Sequence, residues 1–211
     1  SGGDSSSVDL SSGVSSIVGN GYAFAAIKAD GSVVTWGAST SGGDSSSVES
    51  SLSSGVSSIV SNSSAFAALK EDGSVVTWGG SDYYRETGAD SSSVDLSSGV
   101  SLIVGTNSAF AALKADGSVV TWGDDTYGGD STSVASSLTN GVTSIVSNGS
   151  AFAAIKTDGS VVTWGYSNNG GDSSAVNLSS GVSAIVSNGM AFAALKTDGS
   201  VVTWGFGSNI S

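Results

Sequence analysis

The chain has 211 residues, with 6 basic and 18 acidic side chains and a net charge of −12. It offers no cationic surface to neutralise phosphates, which makes DNA, RNA and anionic membranes poor candidates as partners. With no Cys there are no disulfides or thiolate metal sites, and with no His neither the commonest general base nor a Ser-His-Asp triad can be assembled. No run approaches the ~18 apolar residues that span a bilayer, so membrane insertion is not expected.

Residues 1 to 10, SGGDSSSVDL, match segments that come after Trp-Gly further along the chain: SGGDSSSV at 41 to 48, GGDSTSV at 128 to 134 and GGDSSAV at 170 to 176. The chain stops soon after Trp204-Gly205, with no such segment beyond it. Residues 1–10 therefore read as a strand that completes the last unit and closes a ring, the usual device of a propeller. Beginning Ser1-Gly2-Gly3 without Met, the sequence reads as a processed product or an excised piece.

A second apolar run comes after each Gly-Gly-Asp, first at Gly13-Val14 to Val18. From the Asp to this Gly the separations are 9, 11, 9, 11 and 9, and a two-residue difference keeps the in/out phase of a strand. Then comes AFAAIKADGSVVTWG, residues 23–37, with copies at 65–79, 109–123, 151–165 and 191–205. Apolar residues on both alternating faces of Ala23-Phe24-Ala25-Ala26-Ile27 predict a strand covered on both sides, in a crowded place where sheets approach closely. Asp30-Gly31 predicts a hairpin with a type I′ turn. Ser32-Val33-Val34-Thr35-Trp36, β-branched and aromatic, predicts the returning strand.

The Trp spacings are 42, 44, 42 and 40, the size of a four-stranded propeller blade. A unit this small cannot bury its own faces and relies on stacking against its neighbours. The expected fold is all-β: a five-bladed β-propeller of four-stranded antiparallel blades, one domain over residues 1–211, closed by the N-terminal strand.

The repeats resemble those of the regulator of chromosome condensation family, whose pattern runs G-x-x-H-S-L-A-L-x-x-D-G-x-V-Y-x-W-G-x-N-x-x-G-Q-L-G. The match falls on Asp30-Gly31, Val33, Trp36-Gly37 and their four sets of equivalents. The family His falls on Ala23, Ala65, Ala109, Ala151 and Ala191, and the Gln-Leu of GQLG on Gly43-Asp44. The resemblance implies a β-propeller. It does not imply the founding member's nucleotide exchange or chromatin binding, whose special loops and basic contacts have no counterpart in this sequence.

Composition argues against an enzyme, and no catalytic residue, metal ligand or cofactor is assigned. Asp30, Asp72, Asp116, Asp158 and Asp198 are read as turn formers, with Lys28 and its equivalents as their solvated neighbours. Asp4, Asp44, Asp90, Asp130 and Asp172 are read as caps of Ser-rich turns, with calcium as the alternative. Trp36, Trp78, Trp122, Trp164 and Trp204 are read as core.

The loops from Trp-Gly to Gly-Gly-Asp vary most, and equivalent loops of a repeated fold fall on one face. The second, Gly80 to Ala89, is four residues longer than three of its equivalents and holds the only Arg. Tyr83, Tyr84, Arg85 and Glu86 are therefore candidate ligand-binding residues, joined by Tyr127 and Tyr166 in equivalent loops. The function expected is a monomeric binding or display module for a protein or glycan, outside the cell or on a cell or virion surface. The alternatives are a structural or engineered repeat scaffold without ligand, and a lectin with up to five sugar sites.

Overall fold

The computed structural model describes residues 2–80 and 87–207. Among them, fifteen strands form five antiparallel sheets of three, each sheet holding consecutive strands in chain order. They are β1 (Val14–Gly19), β2 (Ala23–Lys28) and β3 (Val33–Gly37), then β4 (Val56–Ser61), β5 (Ala65–Lys70) and β6 (Val75–Gly79). Next come β7 (Val100–Gly105), β8 (Ala109–Lys114) and β9 (Val119–Gly123), then β10 (Val142–Ser147), β11 (Ala151–Lys156) and β12 (Val161–Gly165). The last sheet is β13 (Val182–Ser187), β14 (Ala191–Lys196) and β15 (Val201–Gly205). The chain divides into two compact units, Ser1–Ile103 and Val104–Ser211.

The sheets have three strands, not the four expected. The stretches from Gly-Gly-Asp to Val are turns and 3-10 helix, the longer ones giving Ser46–Leu52 and Thr132–Ser137. The cause is local. The Asp44 carboxylate accepts the Ser46 N–H at 2.9 Å and Val48 N–H turns back to Ser45 O at 3.0 Å, so the amides a strand would offer are consumed inside the segment. Residues 2–10 likewise contain no strand. Gly2 lies beside Tyr22 and Gly37 of the first sheet, as Gly42 lies beside the second.

The AFAA arm is the central strand of each sheet. Ala65, Phe66, Ala67 and Ala68 have no exposed surface. Both faces of residues 151–155 are apolar because they meet different neighbours, Phe152 and Ala154 packing with Ala109 and Ala111, and Ala151 and Ala153 with Phe192 and Trp204. In the first unit Ala23, Ala25 and Ile27 pack with Val33 against Val56, Ile59, Phe66 and Trp78 of the next sheet, and Leu52 fills the gap. In the second unit Ala151, Ala153 and Ile155 meet Val182, Ile185, Phe192 and Trp204, with Leu178 between them. The small Ala side chains set the close approach, and the larger Ile, Phe and Trp fill it.

Between successive sheets run a few backbone bonds. Val56 N–H donates to Gly31 O at 3.0 Å in the first unit, and Val182 N–H to Gly159 O at 2.9 Å in the second. Gly is required at these turns: a Cβ on Gly31 would lie 2.7 Å from Gly55 N, and φ there is +75°. The turn is not type I′, because no non-Gly residue among those described has positive φ. Gly31 N–H donates to Lys28 O and Lys28 N–H to Ser32 O, a three-residue loop in which Gly alone is left-handed. Asp30 keeps a negative φ, and its carboxylate accepts both Ser32 N–H and Ser32 Oγ–H, at 3.0 and 2.7 Å.

Candidate functional site

At one end of every sheet lies this hairpin turn, and its chemistry repeats without variation. Asp30, Asp72, Asp116, Asp158 and Asp198 each accept two hydrogen bonds from the Ser two residues on. The serine hydroxyl first, then its N–H, holds each carboxyl below the ordinary aspartate value. The neighbouring lysines turn mainly to backbone. Lys70 Nζ donates to Ser51 O at 2.9 Å and Lys156 Nζ to Ser137 O at 2.8 Å, tying the hairpin to the Ser-rich segment.

The other Asp set closes turns at the Gly-Gly-Asp motifs and at Gly88-Ala89-Asp90. Asp4, Asp44, Asp90, Asp130 and Asp172 each accept the N–H two residues on. For Asp4, Asp44, Asp130 and Asp172 that backbone bond is the main reason the carboxyl sits below its usual value. No group of three or more acidic side chains suited to a metal ion occurs among the described residues.

Trp36, Trp78, Trp122, Trp164 and Trp204 are buried inside the stack. Each ring lies on the Phe opposite it in register, with centroids 5.2 to 5.4 Å apart. Trp78, Trp164 and Trp204 donate Nε1–H to Gly42, Gly128 and Gly170, each at 3.1 Å. The indole thus anchors the loop that precedes its own sheet.

The opposite end carries the variable loops. Each opens beside the residue before the AFAA arm: Ala38 N–H donates to Tyr22 O, Tyr166 N–H to Ser150 O and Phe206 N–H to Met190 O. Three loops make one 3-10 turn, Ser39–Ser41, Asp125–Tyr127 and Ser167–Asn169, closed by a left-handed Gly. Asn20 and Asn148 hold them, donating Nδ2–H to Ser41 O and Asn169 O at 2.8 and 2.7 Å, and Thr106 does the same for Tyr127 O at 3.0 Å. Asn148, buried, also accepts the N–H groups of Ser150 and Ala151 through Oδ1.

Tyr83, Tyr84, Arg85 and Glu86 lie outside the described residues. Tyr127 and Tyr166 occupy different positions in their loops. Tyr127 ends its 3-10 turn and packs half-buried on the core formed by Phe152 and Trp164. Tyr166 opens its turn and is 41% exposed. Large exposed side chains gather at this loop end in both units: Tyr22 in the first, and Tyr166, Met190 and Phe206 in the second. The sequence signal for Tyr22 and Met190 is that they replace Ser64, Ser108 and Ser150 at a repeat position.

No family model matches the chain, and no curated protein sequence is similar enough to match it. Solved structures do match in fold. The ectodomain of the Physcomitrella patens receptor kinase CR4 aligns at TM-score 0.55 and 18% identity, over 94% of this chain and 52% of that one. Human WBSCR16 aligns at 0.56 and 18%, over 91% and 61%. Saccharomyces cerevisiae Prp20p, the yeast RCC1, aligns at 0.56 and 15%, over 90% and 56%; its structure was reported with binding to Gsp1p and histones. The chain spans between about half and three-fifths of the length of these proteins. At such identities the likeness shows a fold: all-β sheets repeated as in β-propellers, RCC1 among them.

Proposed function

We propose that residues 1–211 act as a single propeller-type, non-enzymatic binding or display module, outside the cell or on a cell or virion surface. Recognition is by the loops between Trp-Gly and Gly-Gly-Asp. The observation that carries this reading is the contrast between the two ends of the sheets. The hairpin end repeats one Asp-Gly-Ser turn, whereas the loop end varies and exposes Tyr22, Tyr166, Met190 and Phe206, at 62, 41, 52 and 67%. Tyr22, Tyr166 and Phe206, each next to a strand end, are aromatic side chains that lose little freedom on binding, which favours them as anchors. Proteins that resemble the chain in fold include Prp20p, reported with binding to Gsp1p and histones, and this supports a protein ligand.

The test is capture by the immobilised chain from a glycan array and from a cell-surface extract. Replacing Tyr83, Tyr84 and Arg85 together by Ala should leave the melting curve unchanged and reduce capture at least tenfold. Unaltered capture counts against this loop. A stoichiometry near five sugars per chain selects the lectin reading, and no reproducible capture selects a purely structural repeat.

A further inference from the structure

We propose that Asn140 is a self-modifying residue. Its side chain closes onto the backbone nitrogen of Gly141, loses ammonia, and leaves an aspartyl or isoaspartyl residue in the joint between the third and fourth sheets.

The chain has five Asn-Gly pairs, beginning at Asn20, Asn140, Asn148, Asn169 and Asn188. Glycine has no side chain to shield its nitrogen, so each pair has the parts for this ring closure. The carboxamide carbon must first swing over that nitrogen, and whatever bonds the carboxamide opposes the swing.

Four of the five are held. Asn20 Oδ1 accepts Tyr22 N–H and Ala23 N–H at 2.9 and 2.8 Å, and its Nδ2 donates to Ser41 O at 2.8 Å. Asn148 repeats this set with Ser150, Ala151 and Asn169 O. Asn188 Oδ1 accepts Met190 N–H and Ala191 N–H at 2.9 and 2.8 Å. Asn169 Nδ2 donates to Ser150 Oγ at 3.1 Å, and the Gly170 nitrogen that would attack it donates to Ser167 O at 3.2 Å. Asn140 differs. It is exposed, its side chain makes one long bond, from Nδ2 to Thr139 Oγ1 at 3.4 Å, and Gly141 N–H donates to no group among the described residues.

The joint does not depend on an Asn here. The equivalent residues are Ser12, Ser54, Ser98 and Ser180, and the Gly that follows has φ between +72° and +77° in all five repeats. Serine cannot form the ring, so the reactivity belongs to this one repeat.

In the reaction the Gly141 nitrogen bonds to Cγ of Asn140, the Cγ–Nδ2 bond breaks, and Nδ2 departs as ammonia with the proton that Gly141 gave up. Water then opens the succinimide at either carbonyl, and nothing is oxidised or reduced. Because the attacking nitrogen must shed its proton, the rate rises with pH. Opening at the α-carbonyl routes the main chain through the former side chain and lengthens it by one methylene. Three backbone bonds meet at this joint: Val119 N–H to Leu138 O at 2.9 Å, Val142 N–H to Gly117 O at 3.0 Å and Thr157 N–H to Gly141 O at 2.8 Å. Leu138 is buried and fixed on one side, so a longer link to Gly141 cannot keep all three bonds. The modification loosens the joint.

The intact chain, held at mildly alkaline pH below its melting temperature, tests this when the five sites are followed by tandem mass spectrometry and isoaspartyl methyltransferase labelling. Asn140 should convert at least about tenfold faster than the other four, the factor that freedom from two ordinary hydrogen bonds implies. In denaturant the five rates should draw together. Asn140→Ser should abolish the fast conversion and keep the wild-type circular dichroism, and in the converted wild type the amides of Val142 and Thr157 should exchange faster. The proposal is overturned if Asn140 in the folded chain converts no faster than Asn20, Asn148, Asn169 and Asn188, or if the five rates differ as widely in denaturant. Unchanged exchange at Val142 and Thr157 after conversion overturns the loosening.

Discussion

Trp78→Ala is expected to destabilise the first unit by about 3–5 kcal/mol, the range for truncating a buried Trp or Phe. The indole is 3% exposed, stacks on Phe66 with centroids 5.2 Å apart, and donates Nε1–H to Gly42 O at 3.1 Å. The truncation therefore opens a cavity between two sheets and orphans the carbonyl that fixes the loop before them. The shift in the midpoint of chemical denaturation measures this loss. Trp78→Phe, which keeps a ring but no donor, should cost only about 1–3 kcal/mol, for an unsatisfied buried acceptor and a smaller ring. A Trp78→Ala loss below about 1 kcal/mol, typical of a surface change, would place the indole outside the core.

Gly42→Ala is expected to cost about 2–5 kcal/mol, combining a left-handed backbone at a non-Gly residue with overpacking of a core. Gly42 has φ +91°, and a Cβ there would stand 2.5 Å from Cδ2 of Phe66, a ring with no exposed surface. The ring has no room to retreat because Trp78 is stacked on it. Gly3→Ala is the matched control, since Gly3 has open space where its Cβ would be. Thermal unfolding of the two variants should separate them widely. Equal melting temperatures would mean that the loop does not press on the Phe-Trp stack.

The strands were legible because their residues face two directions at once. Ala23 to Ile27 is apolar on both alternating faces, and that pattern has few solutions besides a central strand between packed sheets. Val33 to Trp36 was legible by β-branching. The Gly-Gly-Asp segments were not, because spacing reports length and phase but not where an amide goes. The 9 and 11 residue separations suit two strand phases equally well as a turn with or without an added 3-10 helix, and the Asp carboxylate decides in favour of the turn. Similarly, Asp-Gly announces a hairpin without its type; in the turn itself Gly31 alone is left-handed.

At the loop end, the sequence groups Tyr127, Tyr166 and Phe206 because all three are aromatic in equivalent loops, with Tyr127 and Tyr166 as candidate ligand contacts. The structure separates these two tyrosines by their place in the 3-10 turn: the final position faces the core and the opening position faces solvent. Tyr22 and Met190 sit outside the variable loops in sequence, where the pattern of loop variation does not mark them. The backbone bonds from Ala38 to Tyr22 and from Phe206 to Met190 bring them to the same end.

The central claim is that within each unit three-stranded sheets stack face to face while the Gly-Gly-Asp segments at 42–52 and 128–138 clip neighbouring sheets together without being strands. Residue-resolved amide hydrogen exchange tests it most directly. The amides of 65–70 and 151–156 should be the most protected in their units, whereas those of 44–47 and 130–133 should exchange faster by orders of magnitude, since few of them are held in a ladder. Protection of 44–47 or 130–133 equal to that of the central strands would reveal a fourth strand in each sheet and contradict the account.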